Sequence, residues 1–274
     1  MTEAATPPPV PREARRPRDT ARVLRWVLVL QLVFGGVLLG SDMLRVLPQL
    51  VFPSTAPQLT QPVGPGDQTR RYRPGEVELR EPRPGTRPVP STTDMPSRLD
   101  FVDTSWNGDP VITLTGQIAP GDGARFAEFM ARVDPVPATA FLNSPGGSVT
   151  DALSIGRALR EAGVATAMTA TDICLSACPY ILASGTSRTV DPDALVGVHQ
   201  HFFDANTALP AFLAVETIQR GQGEVMAYLD EMGVDPMLMQ PALLTPSDEI
   251  YILTPDELRE TNLVTDETGD ETGD

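Results

Sequence analysis

The chain has 274 residues, 21 basic against 36 acidic side chains and two cysteines; every basic residue is an arginine, which excludes any mechanism that needs a lysine amine. Charge is divided unevenly: residues 1–100 carry 14 arginines against 10 acids, and residues 101–274 carry 7 against 26, a net −19 that repels nucleic acid and anionic membrane surfaces. Prolines crowd toward the first hundred residues, leaving room for one folded domain after them.

Residues 1–22, with Pro7-Pro8-Pro9 and clustered arginines, read as a disordered basic tail. Val23 to Leu44 has only Arg25 and Asp42 as charges, and the run from Trp26 to Ser41 has none. A bilayer span takes roughly 20 apolar residues, so residues 23–44 read as a transmembrane anchor if Arg22 and Arg25 snorkel to the interface. Six arginines (Arg12, Arg15, Arg16, Arg18, Arg22, Arg25) precede it and only Arg45 follows closely. That bias predicts a cytoplasmic N-terminus and a domain beyond the membrane: a single-pass inner-membrane protein facing the periplasm. A cleaved signal peptide is the competing reading, but no A-x-A-like site follows the apolar run; a buried core helix is the plainer alternative. Residues 45–100, rich in Pro, Gly, Thr and Arg without sustained periodicity, read as an extended tether.

From Val111 short apolar runs alternate with amphipathic stretches. Strands are expected at 111–118, 139–142, 164–169 and 195–199. Helices are expected at 123–133, at 148–162 with a Ser148/Asp151 capping pair, and at 176–184. Thr207 to Met232 reads as a helix broken by Pro210 and the Gly221/Gly223 pair, and Asp256 to Asn262 as a short closing helix. The alternation predicts a largely parallel α/β domain over 101–265, and residues 266–274 read as an acidic disordered tail.

The chemistry concentrates in three places. Phe141-Leu-Asn-Ser-Pro-Gly-Gly147 is a buried strand that breaks at Pro-Gly-Gly and restarts as a helix; Ser176 follows 29 residues after Gly147, and His199 another 23 residues on. Backbone N–H groups at such a turn can meet a developing oxyanion, with serine and histidine as nucleophile and base. Each residue also has a plain reading. Serine is among the commonest N-caps, isolated histidines are more often structural, and His201 lies on the same strand face as His199. Cys174 and Cys178 bracket Ser176 and read as a disulfide if the backbone there is irregular. Two buried thiols, or a thiol nucleophile, are the alternatives. No metal or cofactor is expected, because ligands at zinc spacing are lacking.

Val111-Ile-Thr-Leu-Thr-Gly-Gln-Ile118, Leu142-Asn-Ser-Pro-Gly-Gly-Ser-Val-Thr150, the Ser176 turn, Val198-His-Gln200 and Leu253-Thr-Pro-Asp-Glu-Leu258 through Leu263 together resemble the proteolytic subunit of Clp protease, within the crotonase-like superfamily. Asn-Ser-Pro-Gly-Gly is also similar to signal peptide peptidases, but the His-Gln element and the lack of lysine argue against Ser–Lys enzymes. The resemblance implies an α/β spiral of strand–strand–helix units and a Ser–His–Asp peptidase. In it Ser176 is the nucleophile, His199 the base, and the Gly147 and Ala177 amides the oxyanion hole. The family's aspartate position falls on Ile250; the nearest acids are Asp248 and Glu249, and Asp248 is the candidate third member. The expected function is a membrane-anchored serine hydrolase acting on peptides or exposed protein segments, with self-association left open and no ATP-binding motif of its own. A crotonase-type acyl-transfer enzyme and a catalytically degenerate, membrane-tethered binding module are the alternatives.

Overall fold

A computed structural model describes residues 17–51, 56–59, 63, 66–77, 85–89, 95–201 and 211–265. Residues 1–16 of the expected tail 1–22, and all of the expected tail 266–274, lie outside the described residues. The chain divides into two compact units, Met1–Ser54 and Thr55–Asp274.

Among its described residues the first unit is one helix, α1 (Pro17–Val51). Its stretch Thr20–Ser41, 22 residues of mean hydropathy 2.0, is long and apolar enough to cross a membrane. At 1.5 Å per residue it spans about 33 Å, close to the thickness of a bilayer's hydrocarbon core. Trp26, Phe34 and Leu39 stand exposed along it, so this is not the buried core helix of the plainer reading. The helix starts inside the segment expected to be a disordered tail.

The second unit is mixed α/β. Its elements are β1 (Thr69–Arg71), β2 (Asp100–Trp106), β3 (Asp109–Thr115), α2 (Asp122–Met130), β4 (Thr139–Asn143), α3 (Val149–Glu161), β5 (Ala165–Met168), β6 (Ile173–Leu175) and α4 (Cys178–Ala183). There follow β7 (Arg188–Val190), β8 (Leu195–Val198), α5 (Ala211–Glu231), α6 (Met239–Leu244), β9 (Glu249–Ile252) and α7 (Pro255–Glu260). One sheet has the order β2-β3-β4-β5-β7 and the other β1-β9-β8-β6. In the first, β3, β4, β5 and β7 are parallel and β2 pairs antiparallel with β3. In the second, β6 and β8 are parallel while β9 and β1 run antiparallel to their neighbours.

The five-stranded sheet follows the apolar periodicity of the chain. Ile112, Leu114, Ala140 and Leu142 turn to one face, where α2 and α3 bury Phe126, Ala152, Ile155 and Leu159 against them. Ser148 caps α3 by accepting from the Asp151 amide, as its spacing predicts. Asp122, fully buried, accepts from Arg98 and Arg125 and from the amides of Leu99 and Ala119; although burial works against its charge, these donors hold its carboxyl below the ordinary range.

Two expectations fail here. α5 runs unbroken through Gly221 and Gly223. A helical glycine costs only about 1 kcal/mol, and burial of Val225, Tyr228 and Leu229 on this helix outweighs that. The tether reading of residues 45–100 fails too, because β1 lies within it and pairs with β9. Leu59, Val63, Val77 and Met95 pack on the cluster formed by Tyr72, Ile173, Leu175, Ile250 and Ile252. The segment lacks a periodic signal because its strand has three residues, and it is held by partners from the far end of the chain.

Candidate active site

Three backbone segments converge at the end of β6. The chain leaves β4 and joins the second sheet: the Ser144 amide donates to the Ile173 carbonyl at 2.8 Å, and the Leu175 amide donates to the Ser144 carbonyl at 3.0 Å. This crossing carries Pro145-Gly146-Gly147 onto the turn that holds Ser176. A Cβ on Gly146, at φ +96°, would lie 2.4 Å from the Leu175 carbonyl oxygen and 2.6 Å from the Ser176 Cβ. Only glycine allows that approach.

Ser176 is not the first residue of a helix. It sits at φ +62° between β6 and the α4 cap residue Ala177. The left-handed region is unfavourable for a residue with a Cβ, and it aims the side chain away from the path of strand and helix. The conformation is held from both sides. The Ser176 amide donates to the Gly197 carbonyl at 2.9 Å, and a Cys174–Cys178 disulfide with a Cα–Cα distance of 5.0 Å closes the turn around it. The bridge forms because the backbone between the cysteines is a turn and not a continuous helix.

His199 arrives through strand register. β6 and β8 pair in parallel with Leu175 opposite Gly197, so the residues just beyond each strand end lie side by side. His199 Nε2 is 2.7 Å from Ser176 Oγ, and the residue is 5 % exposed. Burial, helped by His201, lowers its pKa to about 4, while the Ser247 carbonyl works in the opposite direction. The ring is therefore neutral at pH 7, able to accept the serine proton at Nε2 with its own proton on Nδ1. His201 belongs elsewhere: its Nε2 lies 2.6 Å from the Tyr180 hydroxyl.

The Gly147 and Ala177 amides, expected as an oxyanion hole, make no backbone or side-chain hydrogen bond among the described residues. Gly146 abuts the Ala177 nitrogen, which brings the two turns together.

Asp248 is not brought to His199. Its side chain is exposed, because the turn closed by the Glu249 amide on the Pro246 carbonyl swings it outward before β9 begins. Among the described residues no side chain bonds His199 Nδ1; the buried atom faces the Ser247 backbone without a well-formed hydrogen bond. Glu249 lies in β9 opposite Arg71.

Three further contacts frame the pair, and of the residues that make them Tyr72 carried no signal in the sequence. Gln200 ties the end of β8 to the α6–β9 connection, its amide donating to the Thr245 carbonyl at 3.0 Å and its side chain to the Leu243 carbonyl at 2.8 Å. Tyr72 covers His199, with ring centroids 4.9 Å apart. The Pro145 carbonyl accepts the Tyr72 hydroxyl. Among the described residues no cluster of His, Cys, Asp and Glu has the make-up of a metal site.

The chain matches no protein-family model and no curated protein.

Proposed function

We propose that the protein is a membrane-anchored serine hydrolase, a peptidase built on the strand–strand–helix spiral of the Clp protease proteolytic subunit. The carrying observation is the 2.7 Å contact between Ser176 Oγ and His199 Nε2, with the serine in a left-handed turn beside glycines that admit no side chain. In this reading His199 takes the Ser176 proton as Oγ attacks a peptide carbonyl. The Gly147 and Ala177 amides stabilise the oxyanion. His199 then gives the proton to the departing amine, and water, deprotonated by the same imidazole, releases the acid and restores Ser176.

Without a carboxylate at Nδ1 the imidazolium formed in the transition state is poorly stabilised. A turnover lower than that of a complete triad, by up to about 10⁴-fold, is expected. The same vacancy favours the second reading, a binding module that keeps the fold of a hydrolase without its activity. The substrate side is extracytoplasmic, since six arginines, Arg12 to Arg25, lie before the uncharged run Trp26–Ser41 and a disulfide forms in an oxidising compartment.

A fluorophosphonate probe on the full-length protein in detergent separates the two. A covalent adduct mapped to Ser176, lost in Ser176→Ala and in His199→Ala, is expected. An unreactive wild type would leave the binding module.

A further inference from the structure

Tyr72 occupies a place no other residue shares. It comes from the segment before the first sheet, yet it is 3 % exposed, and its amide donates to the Asp248 carbonyl at 3.0 Å, extending the β1–β9 pairing by one step. Its ring lies edge-on to the His199 imidazole at an interplanar angle of 63°. Its hydroxyl donates to the Pro145 carbonyl. One side chain thus touches the base and the turn that carries Gly147.

Those contacts answer a defect of the site. Among the described residues His199 is held at Nε2 by Ser176 alone, and at Nδ1 no carboxylate fixes the plane or tautomer of the ring. An imidazole with one side-chain partner turns readily about its last torsion, which is broad. An aromatic ring against it restricts that turn sterically. The hydroxyl, its single proton committed to Pro145, anchors the glycine turn at the same time. Burial pushes the phenol well above its ordinary pKa of 10, so it stays a neutral donor.

The alternative, a strap that lifts to admit substrate, fits the packing poorly. Tyr72 belongs to the cluster of Ile173, Leu175, Ile250 and Ile252, and Arg70 two residues before it is fully buried. Lifting the segment would expose that cluster and strip β9 of one of its two partners.

We propose that Tyr72 is a positioning residue of the Ser176–His199 pair, confining the imidazole that lacks a carboxylate and holding the oxyanion turn through Pro145. The proposal rests on the hydrolase reading.

The test is the saturation kinetics of fluorophosphonate labelling in full-length protein, with ring ¹⁵N NMR of the two histidines as a second readout. Tyr72→Phe keeps the ring and loses the hydroxyl. Its maximal labelling rate should fall roughly five- to tenfold, the worth of one hydrogen bond, with the half-saturating probe concentration unchanged. Tyr72→Ala should fall further, by on the order of 10²-fold, and should turn a single His199 Nδ1–H tautomer into a mixture. Equal maximal rates in Tyr72→Phe and wild type, an unchanged tautomer in Tyr72→Ala, or faster labelling of Tyr72→Ala would each overturn it, the last by showing an obstructing strap. If wild type labels at Ser176 and Tyr72→Phe labels as fast, only this proposal falls. If wild type takes no label, the hydrolase reading falls and takes the proposal with it.

Discussion

The two ring nitrogens of His199 have unlike surroundings. Nε2 meets Ser176 Oγ at 2.7 Å through two parallel neighbouring strands, a disulfide-closed turn and a glycine turn that packs against it. Among the described residues Nδ1 faces only the Ser247 backbone, from a connection between α6 and β9 whose acidic side chain, Asp248, is exposed. The proton-accepting half of the site is built by strand pairing and close packing. The half that would steady the resulting charge depends on a turn and on an aromatic neighbour. In the hydrolase reading, geometry for attack and stabilisation of the base are therefore separable.

Breaking the Nε2 side should have the largest effect. Gly146→Ala would drive a Cβ to 2.4 Å from the Leu175 carbonyl oxygen in a left-handed conformation. We expect it to cost about 2–4 kcal/mol of stability and to abolish probe labelling even at temperatures where circular dichroism shows a folded domain. Near-wild-type labelling of the folded variant would mean that the glycine turn does not shape the nucleophile.

The pH dependence probes the ring itself. The unfolded chain takes a proton on His199 near pH 6.5, the folded protein only near 4. Between those values the unfolded state binds more protons, so stability rises with pH. The contribution is complete above about 6.5 and is lost as pH falls toward 4, by at most about 3 kcal/mol. Urea midpoints at pH 7 and pH 4.5 should differ more in wild type than in His199→Gln. Labelling should persist at pH 5, where an ordinary histidine is already protonated. Loss of labelling with a midpoint near 6.5 would show that the ring is solvated.

The Nδ1 side should respond least to the obvious substitution. Asp248→Asn leaves an exposed side chain exposed, and we expect a labelling rate within about twofold of wild type. A hundredfold loss would place the carboxylate on His199 in the reacting protein and restore a complete triad.

Much of the site was legible because it depends on local sequence. The break at Pro145-Gly146-Gly147, the cap at Ser148 and the apolar runs of β3, β4, β5 and β8 all obey periodicity or turn chemistry. The two cysteines bracket a turn that had to be irregular for them to bridge, and it is. The third triad position was misplaced because counting along the chain says nothing of where a turn aims its side chain; Ile250 is buried, and Asp248, two residues away, is exposed.

By itself the sequence determined the apolar N-terminal helix, the strand–helix alternation after Val111, and Ser176 and His199 as the pair to test. The helix and the alternation follow from hydropathy and periods of 2 and 3.6 residues, properties of neighbouring residues, whereas the pair follows from the resemblance carried by the glycine turn, the Ser176 turn and the His-Gln element. Tertiary structure alone decided that Ser176 takes a left-handed turn, that Nδ1 goes without a carboxylate, and that Tyr72 from an unpatterned segment completes the site. Each depends on pairing between distant segments, β1 with β9 and β6 with β8, whose register is set by the packing of the whole sheet.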